Sequence, residues 1–206
     1  MVVVGLTGGI ATGKSTAADI LRRMGAPVVS ADDLARAVLA PGEPALAEVA
    51  QAFGAGVIAP DGGLDRRALG ALVFADAGAR RRLEAITHPP IRQRTLSWLE
   101  ACRDRGEPAA VCEIPLLFEV GLHLPGSFVD RIWVVAARPE VQRDRLMRRS
   151  GDGDQAAARA RIAAQWPLAR KVALADHVFD NNGDPEQLAR EVSAAWRALM
   201  ATVGLG

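Results

Sequence analysis

A chain of 206 residues, half of them hydrophobic, can bury a full core and has the length of one α/β domain with insertions. Its 25 basic and 24 acidic residues leave a net charge of +1, which excludes a generic nucleic-acid binder, because phosphate contacts need a basic surplus. No apolar run approaches the roughly 20 residues of a membrane span, the N-terminus lacks the layout of a secretory signal, and Cys102 and Cys112 form neither a disulfide framework nor a metal-ligand spacing. The expectation is a cytoplasmic protein, a monomer or small homo-oligomer, with no membrane or nucleic-acid partner.

In chain order, the first expected strand is Val2 to Leu6, which runs into GLTGGIATGKST, residues 5–16. A helix should start in that motif and end at the stop Met24-Gly25-Ala26-Pro27. A second strand follows at Pro27 to Ser30. The next strand signal, Ala109 to Glu113, comes only after a long stretch of helical spacing that includes Ala75 to Arg105, too much chain for one crossover. That stretch, about residues 31–105, reads as an inserted helical subdomain within a single domain. Arg131 to Ala136 forms a fourth strand, and an arginine-rich helical excursion covers about residues 139–175. His177 to Phe179 is the fifth strand, and an amphipathic helix from Pro185 to about Met200 places Leu188, Val192, Ala195, Trp196 and Leu199 on one face. Strands alternating with helices imply an α/β fold with a parallel sheet covered on both faces.

Gly8, Gly13, Lys14 and Ser15 satisfy the spacing G-x-x-x-x-G-K-[ST] of a phosphate-binding loop. Glycines allow successive backbone N–H groups to converge on phosphate oxygens, and the following helix turns its positive end toward the same anion. Lys14 is a compact charge for the β and γ phosphates, and the Ser15 hydroxyl is a ligand for magnesium. A GTPase would need an N/T-K-x-D guanine reader, but Lys171 is followed by Val172 and Ala173 and supplies none. A small-molecule kinase and a non-catalytic or mechanical ATPase remain.

A kinase needs an acid for the acceptor's proton and cations for the transferring phosphoryl group. Asp32 and Asp33 follow the second strand at the edge where parallel sheets hold ligands, and one of them suits the base, while Asp33 also fits an N-cap for the helix DDLARAVL. Glu113 ends the third strand, a position for holding magnesium or its waters. Arg145 and Arg149 stand four apart on one helix face, with Arg148 to its side, and are candidates to close over phosphates. Arg80, Arg81 and Arg82 read instead as a solvated face, and His88, before Pro89-Pro90, reads as an interior or loop histidine. Of the 25 basic residues only Lys14 and Lys171 are lysine, so both are expected where a guanidinium cannot substitute.

GLTGGIATGKST, SADDLAR, FGAGVIAPDGGLDRRALGALVF, LEAITHPPIR, EIPLLFE, PEVQRDRLMRRSG and FDNNG, in this order from Val3 to about Trp196, closely resemble the dephospho-CoA kinase family. The resemblance implies a P-loop nucleoside-triphosphate hydrolase fold: a five-stranded parallel sheet, a helical acceptor-binding insertion and a helical lid. It also implies transfer of phosphate from MgATP to the ribose 3′-hydroxyl of dephospho-CoA. By position it places Gly8, Gly9, Ile10, Ala11, Thr12, Gly13, Lys14, Ser15 and Thr16 at the ATP phosphates and Asn181 and Gly183 beside the adenine. Asp32 becomes the base, and Arg145 and Arg149 the lid arginines. Arg66, His88, Pro89, Pro115, Leu116, Leu117 and Glu119 fall on the acceptor side, and Ser15 and Glu113 at the metal. Two positions depart from the family pattern. Ala11 stands at a common glycine, which implies a site that tolerates a methyl group or points away from the phosphates, and Ser30 replaces the first acid of Asp-Ala-Asp.

Overall fold

A computed structural model describes residues 1–150 and 155–204 of the chain, which divide into two compact units, residues 1–30 with 102–206 and residues 31–101.

The first unit is built on a five-stranded parallel sheet in the order β2-β3-β1-β4-β5, with β1 at Val2–Gly8, β2 at Val28–Ser30, β3 at Ala109–Glu113, β4 at Arg131–Ala136 and β5 at His177–Asp180. Every residue of β3 is buried, as are Val3 to Gly8 of β1, which is why these strands read as continuous apolar runs without alternation. Helix α1 (Lys14–Arg23) and the C-terminal helix, here α9 (Pro185–Val203), bury Ala17, Ile20, Leu21, Leu188, Val192 and Trp196 in one core with Val4, Leu6, Val111, Val135 and Phe179. Trp133 centres that core, edge-on to Phe179 at 5.5 Å and to Trp196 at 6.5 Å. From β1 the chain first builds β2 and β3 on one side and then β4 and β5 on the other. The carboxyl end of β1 is therefore the switch point where open parallel sheets hold ligands.

The second unit is helical: α2 (Ala31–Ala37), α3 (Pro44–Phe53), α4 (Arg66–Ala75) and most of α5 (Ala77–Asp104). Val38, Leu39, Ala45, Val49, Val57 and Leu69 form its core, lined by Phe53, Ile58, Leu64 and Ile86. Asp65 caps α4, its Oδ1 accepting the N–H groups of Arg67 and Ala68, both at 2.9 Å.

Two expectations are corrected here. The helix after β2 begins at Ala31, so Asp33 is not its N-cap; it lies in the first turn and pairs with Arg36 at 2.8 Å on the exposed face. α5 continues through Pro89 and Pro90, and His88 is an exposed mid-helix residue, neither interior nor in a loop. Each proline removes one backbone donor, but the flanking segments carry enough apolar side chains, Leu83, Ile86 and Ile91, packed on the unit's core to hold one helix across the gap.

Candidate active site

β1 delivers the chain at Gly8 and α1 takes it up at Lys14, so the loop of residues 9–13 sits at the sheet's switch point. Close approach explains its glycines. A Cβ on Gly8 would stand 2.5 Å from the Val135 carbonyl oxygen and 2.7 Å from Thr12 Oγ1, and one on Gly9 would stand 2.8 Å from Gln142 Oε1. Gly13 has φ +95° and would meet the Asn181 side-chain amide. Within the loop, Thr12 Oγ1 donates to the Gly9 carbonyl at 2.9 Å. No side chain caps α1 and no acid stands in its first turn, and its first i→i−4 bond is Ala17 N–H to Gly13 at 3.1 Å. The N–H groups of Lys14, Ser15 and Thr16 thus have no helical acceptor and form a donor set for an anion.

Ala11 is the one non-glycine residue with positive φ, +58°, among the described residues. Ala11 is buried and packs with Ile10, Leu146, Met147 and Ile162.

Glu113, 6 % exposed at the end of β3, gathers the motif's side chains: its Oε1 accepts from Lys14 Nζ at 3.3 Å and from Ser15 Oγ at 3.2 Å. Arg22 approaches Oε2 at 3.9 Å while bonding Asp19 at 2.7 Å. The register sets Glu113 beside Leu6 of β1 and Ser30 of β2, so the acid and the loop are placed by adjacent strands. On the other side, α6 (Pro139–Ser150) brings Arg145 across the loop, where it donates to the carbonyls of Ala11 and Thr12 at 3.4 Å and of Asn181 at 3.0 Å. Asn181, buried just past β5, donates through Nδ2 to the Thr12 carbonyl at 2.7 Å. Gln142 donates to the Ala137 carbonyl at 2.8 Å.

The family model for dephospho-CoA kinase matches residues 2–187. The chain belongs to the dephospho-CoA kinase family. A dephospho-CoA kinase of Anaeromyxobacter dehalogenans is 58 % identical over 92 % of this chain and 88 % of its own, and one of Geobacillus kaustophilus is 47 % identical over 95 % and 97 %. Among solved structures, a Thermus thermophilus protein superposes with a TM-score of 0.80 at 36 % identity, covering 96 % of this chain and 97 % of its own. The dephospho-CoA kinase of Campylobacter jejuni gives 0.70 at 28 %, covering 95 % of each chain.

The other residues singled out in this kinase fall in several places. Asp32 is exposed in the first turn of α2, two residues past the end of β2, and Arg66 is exposed at the start of α4. His88 and Pro89 share the exposed stretch of α5. After β3, the Pro115 carbonyl accepts from Thr7 Oγ1 at 3.3 Å, Leu116 is exposed, and Leu117 is a core residue whose side chain fills the space against Gly5. Glu119 is committed to a contact inside the protein. Lys171, fully buried on α8 (Leu168–Ala173), places Nζ 2.8 Å from Glu119 Oε1, an ion pair by distance without the alignment of a hydrogen bond. The backbone N–H of Trp166 donates to the same oxygen at 2.9 Å. Gly183 has open space where a Cβ would be. The side chain of Arg149 lies outside the described residues.

Sequence reasoning overlooked Arg22, Gln142 and the contact of Gln165 with the loop; a lone glutamine, in a helix or in a link, carries no motif signal. The lysine bias did single out Lys171, without revealing its partner.

Proposed function

We propose that this kinase transfers the γ-phosphoryl group of ATP to the ribose 3′-hydroxyl of dephospho-CoA, giving CoA and ADP in the cytoplasm. The observation that carries the reading is the convergence of Lys14, Ser15 and Glu113 at a phosphate loop in a chain matched along residues 2–187 by the dephospho-CoA kinase model. The loop's free N–H groups and Lys14 bind the phosphates, and Arg145, held against the loop's carbonyls, adds positive charge beside the transferring group. Arg149 is assigned with it as a lid arginine. Asn181 and Gly183 belong to the adenine side in this reading.

Ser15 Oγ and Glu113 Oε1, hard oxygens 3.2 Å apart, suit Mg²⁺. Such an ion would neutralise charge on the phosphates. Asp32 is the general base, its carboxylate accepting the 3′-hydroxyl proton as the oxygen takes the phosphoryl group. Arg66, His88, Pro89, Pro115 and Leu116 are assigned to the acceptor side, with Leu117 and Glu119 supporting that segment from within.

A coupled ADP-release assay with dephospho-CoA and a panel of nucleosides and nucleotides tests the proposal. Turnover confined to dephospho-CoA is expected. Turnover of a nucleoside instead would make the chain another small-molecule kinase, and ATP binding without acceptor-dependent turnover would make it a regulatory ATP-binding module.

A further inference from the structure

We infer that Gln165 is a positioning residue for the phosphate loop, held in place by the buried Lys171–Glu119 pair; the inference rests on the ATP-dependent reading above. Gln165 stands in the short link between α7 (Gln155–Ala163) and α8. Its Oε1 accepts the backbone N–H of Ile10 at 2.9 Å, across 155 residues of sequence. A backbone N–H only donates, so the amide oxygen is the atom that faces the loop.

The link has little freedom to move. On one side, Gln165 N–H closes the last turn onto the Ile162 carbonyl at 3.3 Å. On the other, Trp166 donates its N–H to Glu119, and its ring packs against Phe118 at 6.0 Å and His123 at 5.4 Å with the Arg170 guanidinium 3.7 Å above it. Lys171 then closes the bracket onto the same carboxylate oxygen. The segment bearing Gln165 is thereby fixed to the stretch that follows β3.

The consequence lies in the loop. A phosphate cradle works through the directions of its N–H groups, and the peptide joining Gly9 to Ile10 is free to rotate on its glycine side. Gln165 sets that peptide at the loop's entrance, while Asn181 and Arg145 hold the carbonyls of Ala11 and Thr12 at its exit. Ordering the loop before ATP arrives removes that ordering cost from binding.

Gln165→Leu keeps the volume and removes the acceptor. Three readouts are compared with wild type: the Kd of a non-hydrolysable ATP analogue, thermal melting, and the KM values for ATP and dephospho-CoA. The expected result is an analogue Kd raised roughly 5- to 20-fold, the lower part of the range for an N–H deprived of its partner, with the KM for ATP rising in parallel. The KM for dephospho-CoA should stay within about twofold, and the melting temperature within about 3 °C. An analogue Kd within about twofold of wild type overturns the inference. So does tighter binding, which would mean that Gln165 competes with the phosphates for the loop, and so does a joint rise of both KM values with a large loss of thermal stability. The analogue measurement needs no acceptor, so failure of wild type to phosphorylate dephospho-CoA would refute the proposed substrate and leave this test standing.

Discussion

Replacing Lys171 by methionine removes one member of a buried ion pair and strands the other. Lys171 is fully buried, the Glu119 side chain is 17 % exposed, and the charges lie 2.8 Å apart. At an effective dielectric constant of about 20 their attraction is about 6 kcal/mol, of which desolvation of the two ions cancels a large part. Leaving a buried charge without its partner costs about 3–5 kcal/mol, and the partial exposure of Glu119 favours the lower end, about 3 kcal/mol. At about 2–4 °C per kcal/mol for a chain of this size, Lys171→Met should melt roughly 6–12 °C below wild type by circular dichroism. The double variant Lys171→Met with Glu119→Leu removes both charges and leaves only the Trp166 N–H short of an acceptor, at about 1 kcal/mol, so it should recover most of the loss. A single variant melting within about 2 °C of wild type, or a double variant no better than the single, would refute the claim that this pair is a coupled element of the fold.

Lys14→Arg should leave the melting temperature unchanged but lower turnover at least about tenfold, because the planar guanidinium is larger than the ammonium seated against Glu113; near-normal turnover would contradict this. Asp32→Asn should lower kcat roughly 10²- to 10⁴-fold with ATP affinity nearly intact, whereas Asp33→Asn, at an exposed carboxylate paired with Arg36, should cost little; the reverse pattern would move the base by one residue. Burial raises both thiols, and that of Cys112 is pushed up to about 12 from 9.0. A disulfide-exchange reagent at pH 8 should therefore label neither cysteine in the folded protein and both after denaturation. Because the folded state holds these protons to higher pH than the unfolded chain, their contribution should lower stability as pH rises above about 9.

The parts of the molecule legible in the sequence are those governed by local rules. β3 and β4 fall on the residues expected from their apolar runs, and β1 and β5 extend beyond expectation only at their carboxyl ends, toward Gly8 and Asp180, where the chain turns polar. Lys14, Ser15 and Glu113 meet as their motif and strand-end positions suggested, since a parallel sheet aligns the ends of β1 and β3. Failures came where tertiary packing overrode local preference. His88, before Pro89-Pro90, reads as an interior or loop histidine, yet the helix runs through both prolines because the apolar side chains on either side pack on one core. Asp33 reads as a cap because the sequence does not show the helix starting at Ala31. Ala11 reads as an anomaly until its methyl is seen among Ile10, Leu146 and Met147, which offsets a left-handed backbone strain of about 1 kcal/mol. The partner of Lys171 and the role of Gln165 were not legible, because the groups they meet, Glu119 and Ile10, lie 52 and 155 residues away in the chain.

Incubating the purified protein with ATP, Mg²⁺ and dephospho-CoA and identifying the products by phosphorus NMR and mass spectrometry tests the central claim most directly. The account predicts one ADP formed per acceptor consumed and a single new phosphomonoester on the ribose 3′-oxygen, with product formation reduced at least about tenfold by Lys14→Arg. A phosphate on any other oxygen, or ADP formed at the same rate without the acceptor, would contradict it.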